Sequence, residues 1–352
     1  MRVAVRGGGC AEGGVAGVEG IWSGRSRLVR RFTLHKRRKN VKSMALTQRI
    51  VSLLPSSTEI VCALGCSDRL VGRSHECDYP ASVTDLPACS EAKFDPDGTS
   101  YEIDQRVKAV LQEAVTVYRV HATVLDELEP DLLVTQSQCE VCAVSLADVE
   151  AAACELVKSQ PEMLSLAPNA LADIWRDIGA VAKALAVEEK GAALVAALQA
   201  RLDAIAERAR AIERRPRIAC IEWFAPLMAA GNWVPELVEV AGGENLFGAP
   251  GEHSPWMAWA ALEEAQPEVI ALMPCGFDIE QCRRELPALA DHPVWGRLEA
   301  VKTGRVHLTD GNQFFNRPGP RLVESAEILA QIMHPESFAS GHDGTAWIRL
   351  EA

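Results

Sequence analysis

The side chains most able to do chemistry in this 352-residue chain are thiols and an imidazole. Cys139 and Cys142 form a Cys-x-x-Cys pair, the spacing of metal-binding and redox-active thiols. His75, Cys77 and Cys275 stand elsewhere and supply further ligands if their loops converge on that pair. Soft thiolate with imidazole suits zinc or another thiophilic metal. A reduced pair at a helix start that binds no metal is the competing reading. A Cys nucleophile with His75 as its base is a third. No P-loop, HExxH, GxSxG or GxGxxG occurs, which removes the commonest enzyme signatures.

The elements that must position these residues alternate. Apolar runs at Arg49–Pro55, Leu70–Ser74, Leu132–Gln136 and Met163–Leu166 read as strands, separated by helical patterns near 102–115, 121–129 and 145–159. Ser56–Glu59 is expected to open a hydroxyl-capped helix that stops at Gly65. Residues 82–101 are polar and turn-rich and read as a loop. A long helical stretch follows from Leu171 to Glu213, with Gly191 expected to break it. After Pro216, strands at Arg217–Phe224, Val269–Pro274 and Arg305–Thr309 alternate with helices near 234–241, 257–265, 278–286 and 321–333. The last 17 residues read as a tail.

The two halves repeat one pattern. Pro130-Asp131 before LLVTQ matches Pro267-Glu268 before VIALM, and Glu59-Ile-Val running to Gly65 matches Glu236-Leu-Val running to Gly242. The fold class is therefore α/β, with two lobes built on parallel sheets and joined by a long helix. The expected division is a basic leader at 1–43, an N-terminal lobe at 44–168, a helical connector at 169–215, a C-terminal lobe at 216–335 and a tail at 336–352.

Charge separates the leader from the rest. Residues 1–43 carry 11 Lys+Arg against 2 Asp+Glu, whereas the remainder carries 25 against 46. A body that acidic is a poor partner for nucleic acid. No run of 18 apolar residues occurs, so no transmembrane helix is expected. The leader lacks the apolar stretch of a secretory signal and reads as a disordered prefix ahead of a start at Met44. An Arg-rich organelle transit peptide and a basic tail are the alternatives. The expected location is the cytoplasm, or an organelle under the transit-peptide reading, with the cysteines reduced.

Ligands of such lobes sit outside the carboxyl ends of the strands. Pro55, Ser56, His75, Tyr79, Gln136, Trp223, Phe224, Trp233, Trp256, Phe315 and Arg317 lie on or near those ends and are the candidate binding residues. So many aromatics favour a large, flat, partly apolar ligand over simple packing between the lobes.

RIVSLLPSSTEIVCALG, VGRSHECDYP, LEPDLLVTQ, ELVEVAGGENLFG, PEVIALMPCG and NRPGPRLVESAEIL, in this order, resemble the cobalamin/iron-siderophore solute-binding protein family, and its cobalamin-binding branch most. The resemblance covers about 49–335. It implies two Rossmann-like lobes of the class III periplasmic-binding-protein type, with the ligand in the cleft between them. Transporter-docking members carry a surface Glu on each lobe, seven residues before the Pro-acid motif, where this chain has Thr123 and Ala260. Docking to a transporter is accordingly not expected.

With no secretory signal in the leader, the expectation is a cytoplasmic, monomeric protein, and the resemblance implies a binding protein rather than an enzyme. Its ligand is cobalamin or another corrinoid, with a metal ion possible at the Cys and His positions above. Trp223, Phe224, Trp233, Trp256 and Phe315 would cover the ring, Arg317 and Gln136 would bond its polar groups, and His75, Cys139 or Cys275 would approach the metal centre. A thiol- or metal-dependent enzyme on the same scaffold, and a transporter's solute-binding component with a different start, remain open.

Overall fold

The computed structural model describes residues 48–113, 117–137, 159–338 and 341–350. They lie within one compact unit, Ala45–Ala352. The N-terminal lobe holds β1 (Ile50–Ser52), α1 (Pro55–Ala63), β2 (Leu70–Arg73), β3 (Ser90–Ala92), α2 (Ser100–Glu113), β4 (Tyr118–Val120), α3 (Ala122–Leu128), β5 (Leu132–Gln136) and β6 (Glu162–Leu166). The connector is α4 (Leu171–Ala184) and α5 (Glu188–Arg210). The C-terminal lobe holds β7 (Arg217–Trp223), β8 (Met228–Ala229), α6 (Val234–Val240), β9 (Glu244–Asn245), α7 (Trp259–Ala265), β10 (Val269–Leu272), α8 (Ile279–Ala290), α9 (Glu299–Lys302), β11 (Val306–Thr309), α10 (Leu322–Met333) and β12 (Trp347–Arg349).

The repeat seen in the sequence is a repeat of topology. One sheet runs β2-β1-β5-β6, all parallel. In the other, β9, β7, β10 and β11 follow the same parallel order, with β12 and β8 added antiparallel. The Pro-acid motif does the same work twice. Asp131 accepts from the Arg49 N–H at 2.9 Å, and Glu268 accepts from the Arg217 N–H at 3.0 Å. Each acid's own N–H donates back to that arginine's carbonyl. The motif thus fixes the register of β5 on β1 and of β10 on β7. The preceding helices end on Glu129 and Gln266, both left-handed, with φ of 42° and 43°.

Strand alternation assigns each sheet face to a core. Ile50, Leu132, Val134, Ile218, Val269 and Ala271 face a core shared with α4, α5 and α10. Val51 and Leu133 face the opposite side of the first sheet, and Ala219, Ile221, Ile270 and Leu272 the opposite side of the second. The shared core carries the connector's apolar positions Ile174, Ile178, Leu198 and Leu202, so the connector is the back wall of both lobes.

Four expectations are corrected. The helix break falls at Leu185–Val187, where Ala186 adopts φ 54°, and Gly191 lies inside α5. A Cβ on Gly191 would come within 2.4 Å of the Ala182 Cβ, so this glycine permits α4 and α5 to touch. The loop at 82–101 contains β3, paired antiparallel with β4. The tail contributes β12, whose Trp347 is buried and donates to Gln331 at 2.8 Å. Pro55 at the first turn starts α1, while the Ser57 and Thr58 hydroxyls donate to the Leu54 carbonyl instead of capping the helix. The helix expected at 145–159 lies, except for its last residue, outside the described residues. Among the described residues no helix is long and apolar enough to cross a membrane.

Candidate functional site

Both sheets end their strands toward the space between the lobes, and the side chains just beyond those ends meet across it. Asp78 follows β2, Glu59 lies on α1, and Arg317 lies in the loop after β11. Arg317 donates to the two Asp78 oxygens at 2.5 and 3.0 Å, to Asn312 Oδ1 at 3.0 Å and to Glu59 at 3.4 Å. Arg321 donates to both Glu59 oxygens at 2.9 and 2.6 Å and to Gln313 Oε1 at 3.1 Å. The Arg321 guanidinium also sits 3.8 Å over the Tyr79 ring and 5.4 Å from that of Phe314.

The electrostatics of this bridge follow from its burial. The Glu59 and Arg317 side chains are 3% and 6% exposed, so neither charge is tolerable without the other's lobe. Burial opposes the Arg317 charge, but the Asp78 bonds and the Glu59 carboxylate outweigh it and hold the guanidinium above its ordinary pKa. Burial likewise pushes Asp78 up, and the Arg317 bonds overcome it and hold that carboxyl below its usual range. Asn312 Nδ2 adds a bond to Asp78 at 3.0 Å.

The loop carrying Asp78 is held from beneath. Ser90 Oγ lies 3.1 Å from Ser74 Oγ and 2.9 Å from His75 Nδ1, within hydrogen-bonding distance of both. Burial first, then the Arg73 charge, lowers the His75 pKa, so its ring is neutral at pH 7. Tyr118 donates to Glu76 at 3.0 Å, and its ring centre lies 5.5 Å from that of His75. Burial pushes the Glu76 carboxyl up to about 7, against the pull of Tyr118 and Arg317.

The other candidates divide by burial. Tyr79 and Trp256 are 44% and 58% exposed, and Trp223 is half-buried against Phe277 at 5.3 Å. Pro55 and Ser56 open α1, and the Ser56 backbone faces Gly319 of the other lobe. Gln136 is buried at the end of β5. Phe224, Trp233 and Phe315, expected to cover a ring, are core residues instead. The Trp233 indole N–H donates to the Phe315 carbonyl at 2.6 Å, and Phe224 packs edge-on against Phe277. Apolar surface sealed this way offers no face to a ligand.

Of the expected metal set, His75, Cys77 and Cys275 lie among the described residues. Cys77 is buried, lies 3.1 Å from the Thr58 hydroxyl, and has its thiol pushed up to about 12 by burial. A thiol so protonated is a poor metal donor. Cys275 is half-buried after β10. Among the described residues no three His, Cys, Asp or Glu side chains are grouped to hold a metal ion. Cys139 and Cys142 lie outside the described residues. Asp78, Asn312 and Gln313 lie on the same strand-end loops as the candidates His75, Tyr79, Phe315 and Arg317, whereas Glu59 and Arg321 were not among the sequence candidates. Glu59 lies inside α1 and Arg321 just before α10, beyond the strand ends, so position along the chain did not mark them.

A family model described as periplasmic binding protein matches residues 50–312, about three-quarters of the chain. The chain belongs to the periplasmic binding protein family. An uncharacterized ABC transporter substrate-binding lipoprotein of Bacillus subtilis, YvrC, is 24% identical, over 83% of this chain and 81% of that protein. A vitamin B12-binding protein of Vibrio campbellii is 25% identical, over 70% and 80%. A periplasmic heme-binding protein of Pseudomonas aeruginosa shares the fold, with a TM-score of 0.64 at 20% identity, over 82% of this chain and 94% of that one. The fold is that of class III binding proteins, and this family member is a solute-binding protein.

Proposed function

We propose that this protein binds cobalamin or a related corrinoid in the cleft between its lobes, in the cytoplasm and as a monomer. The observation that carries the reading is the meeting of both sheets' strand ends at the Asp78–Arg317 bridge, with the Tyr79 and Trp256 rings exposed. Exposed aromatic faces suit a broad, partly apolar chelate, whereas the Arg317 guanidinium expected to bond its polar groups is buried and held by Asp78, Glu59 and Asn312. The vitamin B12-binding relative supports a corrinoid, and the heme-binding neighbour keeps other planar metal chelates in view. Thr123 on α3 and Ala260 on α7 are exposed and uncharged, which supports a role without transporter docking through those positions.

Titration of the purified chain with cyanocobalamin tests the reading. A shift in the visible bands with tryptophan quenching at micromolar ligand is expected, and neither signal at that concentration overturns it. Hemin in a parallel titration separates a corrinoid site from a porphyrin site. The name of the Bacillus relative favours a second reading, the solute-binding partner of an ABC transporter. Cell fractionation distinguishes the two, since a protein found only in the cytosol excludes an exported receptor.

A further inference from the structure

The Asp95–Ser100 segment (DPDGTS) and the helix behind it do something the ligand reading leaves unused. They belong by sequence to the N-terminal lobe, between β3 and β4, yet their outer side is seated on the C-terminal lobe. The Ser100 N–H and hydroxyl both donate to Glu285 Oε2 on α8, at 2.8 and 3.0 Å, and Glu285 is 7% exposed. A carboxylate at the first turn of a helix satisfies otherwise orphaned N–H groups and complements the helix dipole. Here the cap comes from the opposite lobe.

Apolar contact extends the seat. Ile103, one turn along α2, is buried in the C-terminal lobe's outer core with Phe277 and Leu289. Phe94 and Val107 pack against that core and against the N-terminal lobe's own outer core. The turn before the helix is held by itself. Arg106 donates to the Asp95 carbonyl at 3.0 Å and to that of Asp97, and Thr99 donates to Glu102 twice at 2.9 Å. Parting the lobes therefore costs the Glu285 bonds and the burial of Ile103, without unravelling the turn.

At its two ends α2 joins the strands that hold the site. Ser90 of β3 fixes His75, and Tyr118 of β4 bonds Glu76. We propose that α2 is a cross-lobe clasp, with Glu285 as the positioning residue that seats it, and that its release limits how fast a ligand enters and leaves the cleft. The ligand half of this proposal rests on the reading above, whereas the clasp itself does not.

Full-length wild type, Glu285→Gln and Glu285→Ala separate the possibilities by hydrogen exchange and by cyanocobalamin release. Gln keeps an oxygen that accepts both Ser100 bonds, and Ala does not. In Glu285→Ala, amides of 100–113 should exchange about tenfold faster while β1, β5 and β10 keep their protection, the size expected for losing a charged hydrogen bond. Ligand release should quicken by about the same factor, and Glu285→Gln should restore most of both. Unchanged α2 protection in Glu285→Ala overturns the clasp, as does equal behaviour of Gln and Ala. Faster exchange with unchanged ligand release overturns its role in ligand exchange. If wild type binds no cyanocobalamin, the ligand reading fails, and hydrogen exchange still decides the clasp.

Discussion

Arg317 of the C-terminal lobe grips Asp78 of the N-terminal lobe through two side-by-side hydrogen bonds, 239 residues apart in sequence. The pair is unequal, because the Arg317 side chain is 6% exposed and that of Asp78 43%. Arg317→Ala leaves Glu59 buried with Arg321 alone and should cost about 3 kcal/mol. Asp78→Ala leaves Arg317 its Glu59 partner and should cost about 1 kcal/mol. Urea unfolding of each single variant and of the double variant checks this. Strictly additive losses would show that the two residues are uncoupled.

Glu76 gives stability a pH dependence of known sign. Its folded pKa is raised to about 7, above its unfolded value, so the folded state holds the proton more tightly. Its contribution is complete below the unfolded pKa and is lost as pH rises through about 7. Glu76→Gln should flatten that part of the profile between pH 5 and pH 8 and gain relative stability at the upper end. Parallel melts at the two pH values decide it, and identical profiles for wild type and variant would exclude Glu76 as the source.

Two glycines on the connector should respond in opposite directions to the same change. Gly191→Ala places a methyl 2.4 Å from the Ala182 Cβ and should cost about 1–3 kcal/mol by forcing α4 and α5 apart. Gly179 is exposed on α4 with nothing within 4 Å of a Cβ, so Gly179→Ala should gain up to about 1 kcal/mol of helix propensity. Thermal unfolding of both variants measures the contrast.

Two aromatics proposed from sequence for the same ligand should separate stability from binding. Phe315 is fully buried, and Phe315→Ala should lose about 3–5 kcal/mol. Trp256 is 58% exposed, and Trp256→Ala should leave the unfolding midpoint nearly unchanged while weakening cyanocobalamin binding about tenfold. Unaltered affinity in Trp256→Ala removes this ring from the site.

Much of the frame was legible because local patterns carried it. The apolar run Leu132–Gln136 is β5 to the residue, and the paired Pro-acid motifs mark the two lobes. The short strands β3, β4, β8 and β9 have two or three residues each, too few for an alternation to register. β12 was missed for another reason, since its partner β11 lies nearly forty residues earlier and the segment around it looks like a tail.

The sequence by itself determined the two-lobe repeat, the parallel α/β class and the strand ends where a site belongs. Those follow from apolar periodicity and turn chemistry, which act over a few residues. The tertiary structure alone decided which strand-end side chains remain on a surface. Phe315 and Trp256 read alike as loop aromatics, yet one is sealed in the core and the other stands open. Glu59 and Glu236 occupy the same place in the repeat, yet Glu59 binds Arg321 across the cleft while Glu236 accepts the Leu171 N–H at the start of α4. Burial and long-range pairing depend on what the rest of the chain brings alongside, and no local window of sequence contains that information.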